Sequence, residues 1–127
     1  MKKILVVDDN RDIVKLIQNR LEKNGFEVDV AADASDALDK IAAGVPDLIT
    51  LDIMMPGVIG DDDKYGASLC EALKKDEAYQ EIPIIIVSAL PPNASPLIKD
   101  MIKQADCYIK KPIDTNKLIE EIKRILK

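Results

Sequence analysis

The sequence predicts an α/β domain built on a five-stranded parallel sheet. The first observation behind this is a set of short apolar runs: Ile4-Leu5-Val6-Val7, Leu48-Ile49-Thr50-Leu51 and Ile84-Ile85-Ile86-Val87. Runs of this kind mark strands covered on both faces. The second is alternation, because a segment with helical apolar spacing follows each strand-like run. The third is what ends the runs. They meet Asp8-Asp9, Asp52 and Ser88, and Cys107-Tyr108-Ile109 meets Lys110-Lys111-Pro112. Ligands of an open parallel sheet gather outside the carboxyl ends of its strands, so carboxylates, a hydroxyl and an ammonium are expected at one edge.

Taken in order, the first strand ends at Asp8-Asp9. Ile13, Leu16, Ile17, Arg20 (through its aliphatic stem) and Leu21 then fall on one helical face, and Gly25 stops that helix. Phe26 to Ala31 reads as the second strand. Asp33 is the expected N-cap of a second helix with the stripe Ala34, Ala37, Leu38, Ile41 and Ala42, ended by Gly44. Asp47 to Asp52 forms the third strand, and Leu69, Cys70 and Leu73 mark the third helix. Pro83 opens the fourth strand, where a proline is tolerated. Ser95-Pro96 pairs an N-cap with a proline at the first helical position, ahead of Leu97, Ile98, Met101, Ile102 and Ala105. Asp106 to Ile109 is the fifth strand. Asp114 caps the last helix, whose stripe is Leu118, Ile119, Ile122, Ile125 and Leu126.

The 127 residues suit one domain spanning 1–127, and the reading expects no output domain after the last helix. With 47% hydrophobic and 32% charged residues, the chain should fold around a core and not remain disordered. No apolar run approaches a membrane span, and the stretch after Met1-Lys2-Lys3 stops too soon for a signal peptide, so a cytoplasmic location is expected. A net charge of −5 argues against direct nucleic-acid binding. Cys70 and Cys107 sit among apolar residues and read as small buried hydrophobes. The absence of histidine removes His metal ligands, His general bases and any Ser-His-Asp triad. The connection over 53–66 is unusually long. It holds Pro56, Gly57, Gly60, Asp61-Asp62-Asp63 and Gly66, and long connections are usually functional.

Asp8, Asp9 and Asp52 offer the hard oxygen donors that Mg²⁺ prefers, and the carbonyl of Met54 could add another. Each acid alone has a plainer reading, since acidic pairs after a strand often cap the next helix. Their convergence at one edge favours a cation site. A carboxylate can also be a nucleophile and form an aspartyl phosphate. Phosphoryl transfer needs positioning and charge neutralisation more than proton transfer. Lys111 can neutralise a phosphoryl oxygen as a point charge, although most lysines are merely solvated, and Ser88 can donate to another oxygen. The Lys111-Pro112 bond at a strand end is a candidate for the cis form.

Together these segments resemble the response-regulator receiver family over the whole chain. The residues that carry the resemblance are Ile4 through Asn10, Leu51-Asp52-Ile53-Met54-Met55-Pro56-Gly57, Ile86-Val87-Ser88-Ala89 and Ala105 through Pro112. It implies a flavodoxin-like fold with strand order 2-1-3-4-5. It also implies roles. Asp52 matches the phospho-acceptor. Asp8 and Asp9 match the acid pair, with Asp9 the more direct Mg²⁺ ligand and Asp8 acting largely through water. Ser88 matches the switch hydroxyl, Ala89 the small residue after it, Lys111 (not Lys110) the lysine before proline, and Tyr108 the switch aromatic that buries on activation. Two departures stand out. Residues 58–65 lengthen the stretch between Gly57 and Gly66, and Ser88 and Lys111 stand slightly further apart than the family pattern, with Pro91-Pro92 between them.

The implied partners are a histidine kinase or phosphotransfer protein as donor and a downstream protein target. A phosphorylation-dependent dimer is also compatible with the family. Beyond self-phosphorylation and slow autodephosphorylation, no enzyme turnover is expected. Three other classes compete. A phosphatase of the haloacid-dehalogenase type would carry Asp-x-Asp after the first strand, where this chain has Asp8-Asp9-Asn10. A flavodoxin-like cofactor binder would need a phosphate cradle where the acids stand. A receiver-like scaffold that no longer takes phosphate would keep the fold without the chemistry.

By the same resemblance, Met54 and Leu90 flank the path of the water that attacks the aspartyl phosphate. Both are apolar and cannot hold that water. Met54→Glu and Met54→Asn should therefore speed the loss of phosphoprotein after donor removal at fixed Mg²⁺. Unchanged or slower hydrolysis in both variants would place control of water elsewhere.

Overall fold

The computed structural model describes residues 1–52, 66–89 and 96–126. Its elements are β1 (Lys3–Val7), α1 (Arg11–Lys23), β2 (Glu27–Ala31), α2 (Ala34–Ala43), β3 (Leu48–Leu51), α3 (Gly66–Lys75), β4 (Ile84–Ser88), α4 (Pro96–Gln104), β5 (Cys107–Lys110) and α5 (Thr115–Leu126). The strands form one sheet in the order β2-β1-β3-β4-β5, and every pairing is parallel. The expected fold class and strand order are both present. The cap assigned to Ser95, residues 53–65 (Met54 included) and Leu90 lie outside the described residues. So do the side chains of Ala34, Leu69, Leu97, Ile98 and Met101.

Alternation along each strand divides the core in two. Leu5, Val7, Ile49, Leu51, Ile84 and Ile86 face α2 and α3, where Ala37, Ile41, Cys70 and Leu73 are buried, and Ile102 of α4 packs against the same cluster. Ile4, Val6, Leu48, Ile85, Val87 and Ile109 face α1 and α5, where Val14, Ile17, Leu21, Leu118, Ile119 and Ile122 close the other side. With both faces covered, the inner strands must be apolar throughout. β1, β3 and β4 therefore read as continuous runs. β2 lies at the sheet edge, is mostly half-buried, and carries Glu27 and Asp29 among its valines.

The helix ends follow local chemistry. Asn10 caps α1, and Gly25 takes φ +89°, a left-handed conformation that glycine adopts without a Cβ clash. Asp33 Oδ1 accepts from the Asp36 N–H at 2.8 Å, and Asp114 Oδ1 accepts from Asn116 and Lys117 at 3.0 and 3.3 Å. Arg20 reaches across to α5, its Nη2 donating to Asn116 Oδ1 at 2.7 Å.

Two stripe assignments need correction. On α1 the buried set is Val14, Ile17 and Leu21, while Leu16 is 46% exposed. On α2, Ala37 and Ile41 are buried, while Leu38 is 41% exposed and Ala42 is exposed. A helix against a twisted sheet buries a narrow stripe, and Leu16 and Leu38 each lie about 100° round the helix from the buried Ile17 and Ala37. Cys107 is half-buried, in contrast to the fully buried Cys70. Burial raises its thiol pKa and the Glu121 carboxylate raises it further, which keeps it in the unreactive thiol form.

The corrected face of α1 gives a direct test. Ile17→Ala should cost about 2–5 kcal/mol in denaturant unfolding because it opens a cavity under the sheet. Leu16→Ala should cost under about 1 kcal/mol, since much of that side chain already meets water. Equal costs would show that the helix is rotated from the face described.

Candidate phosphoryl and cation site at the carboxyl edge of the sheet

Strand register assembles the site. Val7 aligns with Leu51, Leu51 with Ile86, and Ser88 with Lys110, so the carboxyl ends of β1, β3, β4 and β5 reach one edge. Backbone bonds carry the alignment past the strand ends. The Asp52 N–H donates to the Val7 carbonyl at 2.9 Å, the Asp8 N–H to Ala31 at 3.1 Å, and the Lys111 N–H to Ser88 at 2.8 Å. Asp8, Asp52 and Ser88 are buried, whereas Asp9 is exposed to solvent.

The acids converge as expected. One carboxylate oxygen from each of Asp8, Asp9 and Asp52 can be chosen such that all lie within 4.8 Å of one another. That spacing suits a Mg²⁺ ion that takes some of these oxygens directly and others through its bound waters. Lys111 reaches the same point. Its Nζ lies 3.0 Å from Asp52 Oδ2 and 3.3 Å from Asp8 Oδ2. Of the two lysines, Lys111 makes these contacts, while Lys110 is exposed. The Lys111–Pro112 peptide bond is cis. Met54, the fourth oxygen donor expected for the cation, lies outside the described residues.

Burial alone would lower the pKa of the Lys111 ammonium. The hydrogen bond and charge of Asp52, joined by those of Asp8, outweigh burial and leave it raised. Lys111 is thus a fixed positive charge among buried carboxylates. Tyr108 is partly buried, but its hydroxyl oxygen is enclosed and has no hydrogen-bond partner among the described residues. Burial raises the phenol pKa, and the nearby Ser88 side chain lowers it by less, so the phenol pKa stays raised. The resemblance has Tyr108 burying on activation, yet its hydroxyl is already enclosed here.

One contributor went unassigned in the sequence. The Asn10 N–H donates to Asp8 Oδ1 at 2.9 Å, so the two oxygens of Asp8 are held from opposite sides, by Asn10 and by Lys111. An amide residue placed between an acid pair and a helix start is the available signal, because Asn is a preferred N-cap.

The pH dependence follows from two raised pKa values. Lys111 and Tyr108 ordinarily titrate at 10.5 and 10.0, and both hold their protons more tightly in the folded state. Their contribution to stability is complete below about pH 10 and is lost as pH rises through the higher folded values. Urea melts should therefore show stability falling above about pH 10, and less steeply in Tyr108→Phe. At neutral pH, Tyr108→Phe should equal or exceed wild type by up to about 1 kcal/mol, because it removes an unpartnered buried hydroxyl. A clear loss at neutral pH would mean that the hydroxyl is hydrogen-bonded.

Comparison with known proteins agrees with this geometry. The family model described as "Response regulator receiver domain" matches residues 4–123. The Vibrio cholerae chemotaxis protein CheY4 superposes with a TM-score of 0.83 at 29% identity, over 99% of each chain. A CheY-like response regulator receiver domain protein from Methanospirillum hungatei gives 0.84 at 32% identity, over 99% of this chain and 94% of the other. NtrX from Brucella abortus, solved in complex with ADP, gives 0.83 at 32% identity, over 99% of this chain but 27% of NtrX. A receiver match across nearly the whole chain, on a sheet whose carboxyl edge gathers three acids, a serine and a lysine, places this protein in the response-regulator receiver family.

Proposed function

We propose that Asp52 accepts a phosphoryl group from a partner histidine kinase or phosphotransfer protein, and that this changes a surface read by a downstream protein. The observation that carries the reading is the bridge made by Lys111 Nζ between Asp52 and Asp8, beside the exposed carboxylate of Asp9. These 127 residues contain no histidine, so a phosphohistidine donor lies outside this receiver domain.

In the transfer step, an oxygen of Asp52 bonds to phosphorus as the donor's P–N bond breaks. The imidazole nitrogen keeps the electron pair and takes a proton from solvent. Lys111 is placed to follow the new charge, exchanging its contact with Asp52 Oδ2 for a phosphoryl oxygen. The Ser88 hydroxyl would donate to another. Asp8, Asp9 and Asp52 fit a Mg²⁺ ion, with the Met54 carbonyl as a further donor, and Asp9 offers the solvent-facing entry. Bound there, Mg²⁺ would neutralise the negative charge that accumulates between acid and phosphoryl oxygens.

The added charge of about −1.5 to −2 would bias the Ser88 and Tyr108 region between two arrangements. The chemistry amounts to self-phosphorylation and slow hydrolysis, with no metabolite turned over. The expected cytoplasmic setting is in keeping with a described structure that has no helix long and apolar enough to cross a membrane. A phosphorylation-dependent dimer would be one form of readout.

Intact-mass measurement after incubation with acetyl phosphate and Mg²⁺ tests the reading. Wild type should gain a single phosphoryl adduct, Asp52→Asn should gain none, and chelation of Mg²⁺ should suppress the adduct. An adduct retained in Asp52→Asn would move the acceptor elsewhere. Absence of any adduct in wild type would favour the scaffold alternative.

A further inference from the structure

We propose that Asn10 is a positioning residue for the divalent cation, an inference that rests on the cation reading above. Asn10 closes the β1–α1 turn from both sides. Its side-chain Oδ1 accepts from the Asp12 N–H at 3.0 Å and the Ile13 N–H at 3.2 Å, and its carbonyl accepts from Val14 at 3.0 Å. Its own backbone stays extended, with φ −89° and ψ 107°. Its N–H meanwhile holds Asp8 Oδ1 at 2.9 Å. The residue that starts the helix is therefore the one that orients the first acid.

Asp9 is where this matters most. Asp8 is held by Asn10 and Lys111, and Lys111 also holds Asp52. Asp9 makes no hydrogen bond or ion pair among the described residues, and it is exposed. Only its backbone, fixed by Asp8 on one side and Asn10 on the other, keeps its carboxylate near the other two. Repulsion from Asp8 and Asp52 pushes that carboxylate toward solvent. A cation must gather all three, so any freedom left to Asp9 adds to the cost of binding. The cap removes that freedom in advance.

The test is a Mg²⁺ titration of the full chain, read by isothermal calorimetry and by backbone amide shifts. Asn10→Ala removes the cap acceptor, Asn10→Ser keeps one, and Ile41→Val weakens the core under α2 without touching the site. Asn10→Ala should weaken Mg²⁺ binding about tenfold, the lower end of the loss seen for residues that orient metal ligands. Asn10→Ser should bind within about twofold of wild type, since serine caps about as well as asparagine. Ile41→Val should melt earlier yet bind Mg²⁺ as wild type does. Wild-type affinity in Asn10→Ala would overturn the proposal. So would a defect in Asn10→Ser equal to that of Asn10→Ala, or an equal defect in Ile41→Val. Failure of wild type to bind Mg²⁺ at all would overturn the cation reading itself, an outcome distinct from these.

Discussion

Lys111 Nζ lies 3.0 Å from Asp52 and 3.3 Å from Asp8, and the arrangement of the sheet edge depends on that contact. Two unit charges about 4 Å apart repel by about 4 kcal/mol at an effective dielectric of about 20. Asp8 and Asp52 are both buried, so they cannot relieve that repulsion by turning into water. The ammonium between them holds them in place, and the raised pKa of Lys111 is the counterpart of the same attraction. The bridge also ties β5 to β1 and β3, which neighbour each other in the sheet, at their carboxyl ends. A phosphoryl group on Asp52 would place new negative charge beside this cation, so under the proposed function this contact would link stability to phosphorylation.

The rest of the edge is organised around that bridge. The Lys111 N–H donates to the Ser88 carbonyl, so the lysine and the hydroxyl are placed by one backbone bond. Tyr108 lies in β5 just before Lys111, with its hydroxyl enclosed near Ser88. Charge at Asp52, the position of Ser88 and the environment of Tyr108 are thus linked through a few residues of two adjacent strands. An enclosed phenol beside a small hydroxyl is a place where a modest change of charge can alter packing.

Much of this was legible in the sequence, for physical reasons that differ by element. β1, β3 and β4 are covered on both faces, so burial forces continuous apolar runs that stand out. β2 is an edge strand with charged residues, and its place followed from alternation more than from its own pattern. Leu16 and Leu38 misled because periodicity marks a face broadly, whereas the sheet buries a narrower stripe. Single residues are harder still. Lys110 and Lys111 are chemically identical, and only their order relative to Pro112 and to the strand end separates them. Asn10 acts through a backbone N–H and a cap, and a side-chain pattern does not reveal what a main-chain donor will hold.

Whether Lys111 and the three acids act as one phosphoryl and cation site around Asp52 is open to structural test. A crystal structure of the protein with Mg²⁺ and beryllofluoride tests it most directly. Beryllium should bond to a carboxylate oxygen of Asp52, with Mg²⁺ on Asp9 and Asp52 and Lys111 Nζ moved from Asp52 Oδ2 to a fluorine. Beryllofluoride bound away from Asp52, or Lys111 still paired with an unmodified Asp52 while Mg²⁺ sits elsewhere, would contradict it.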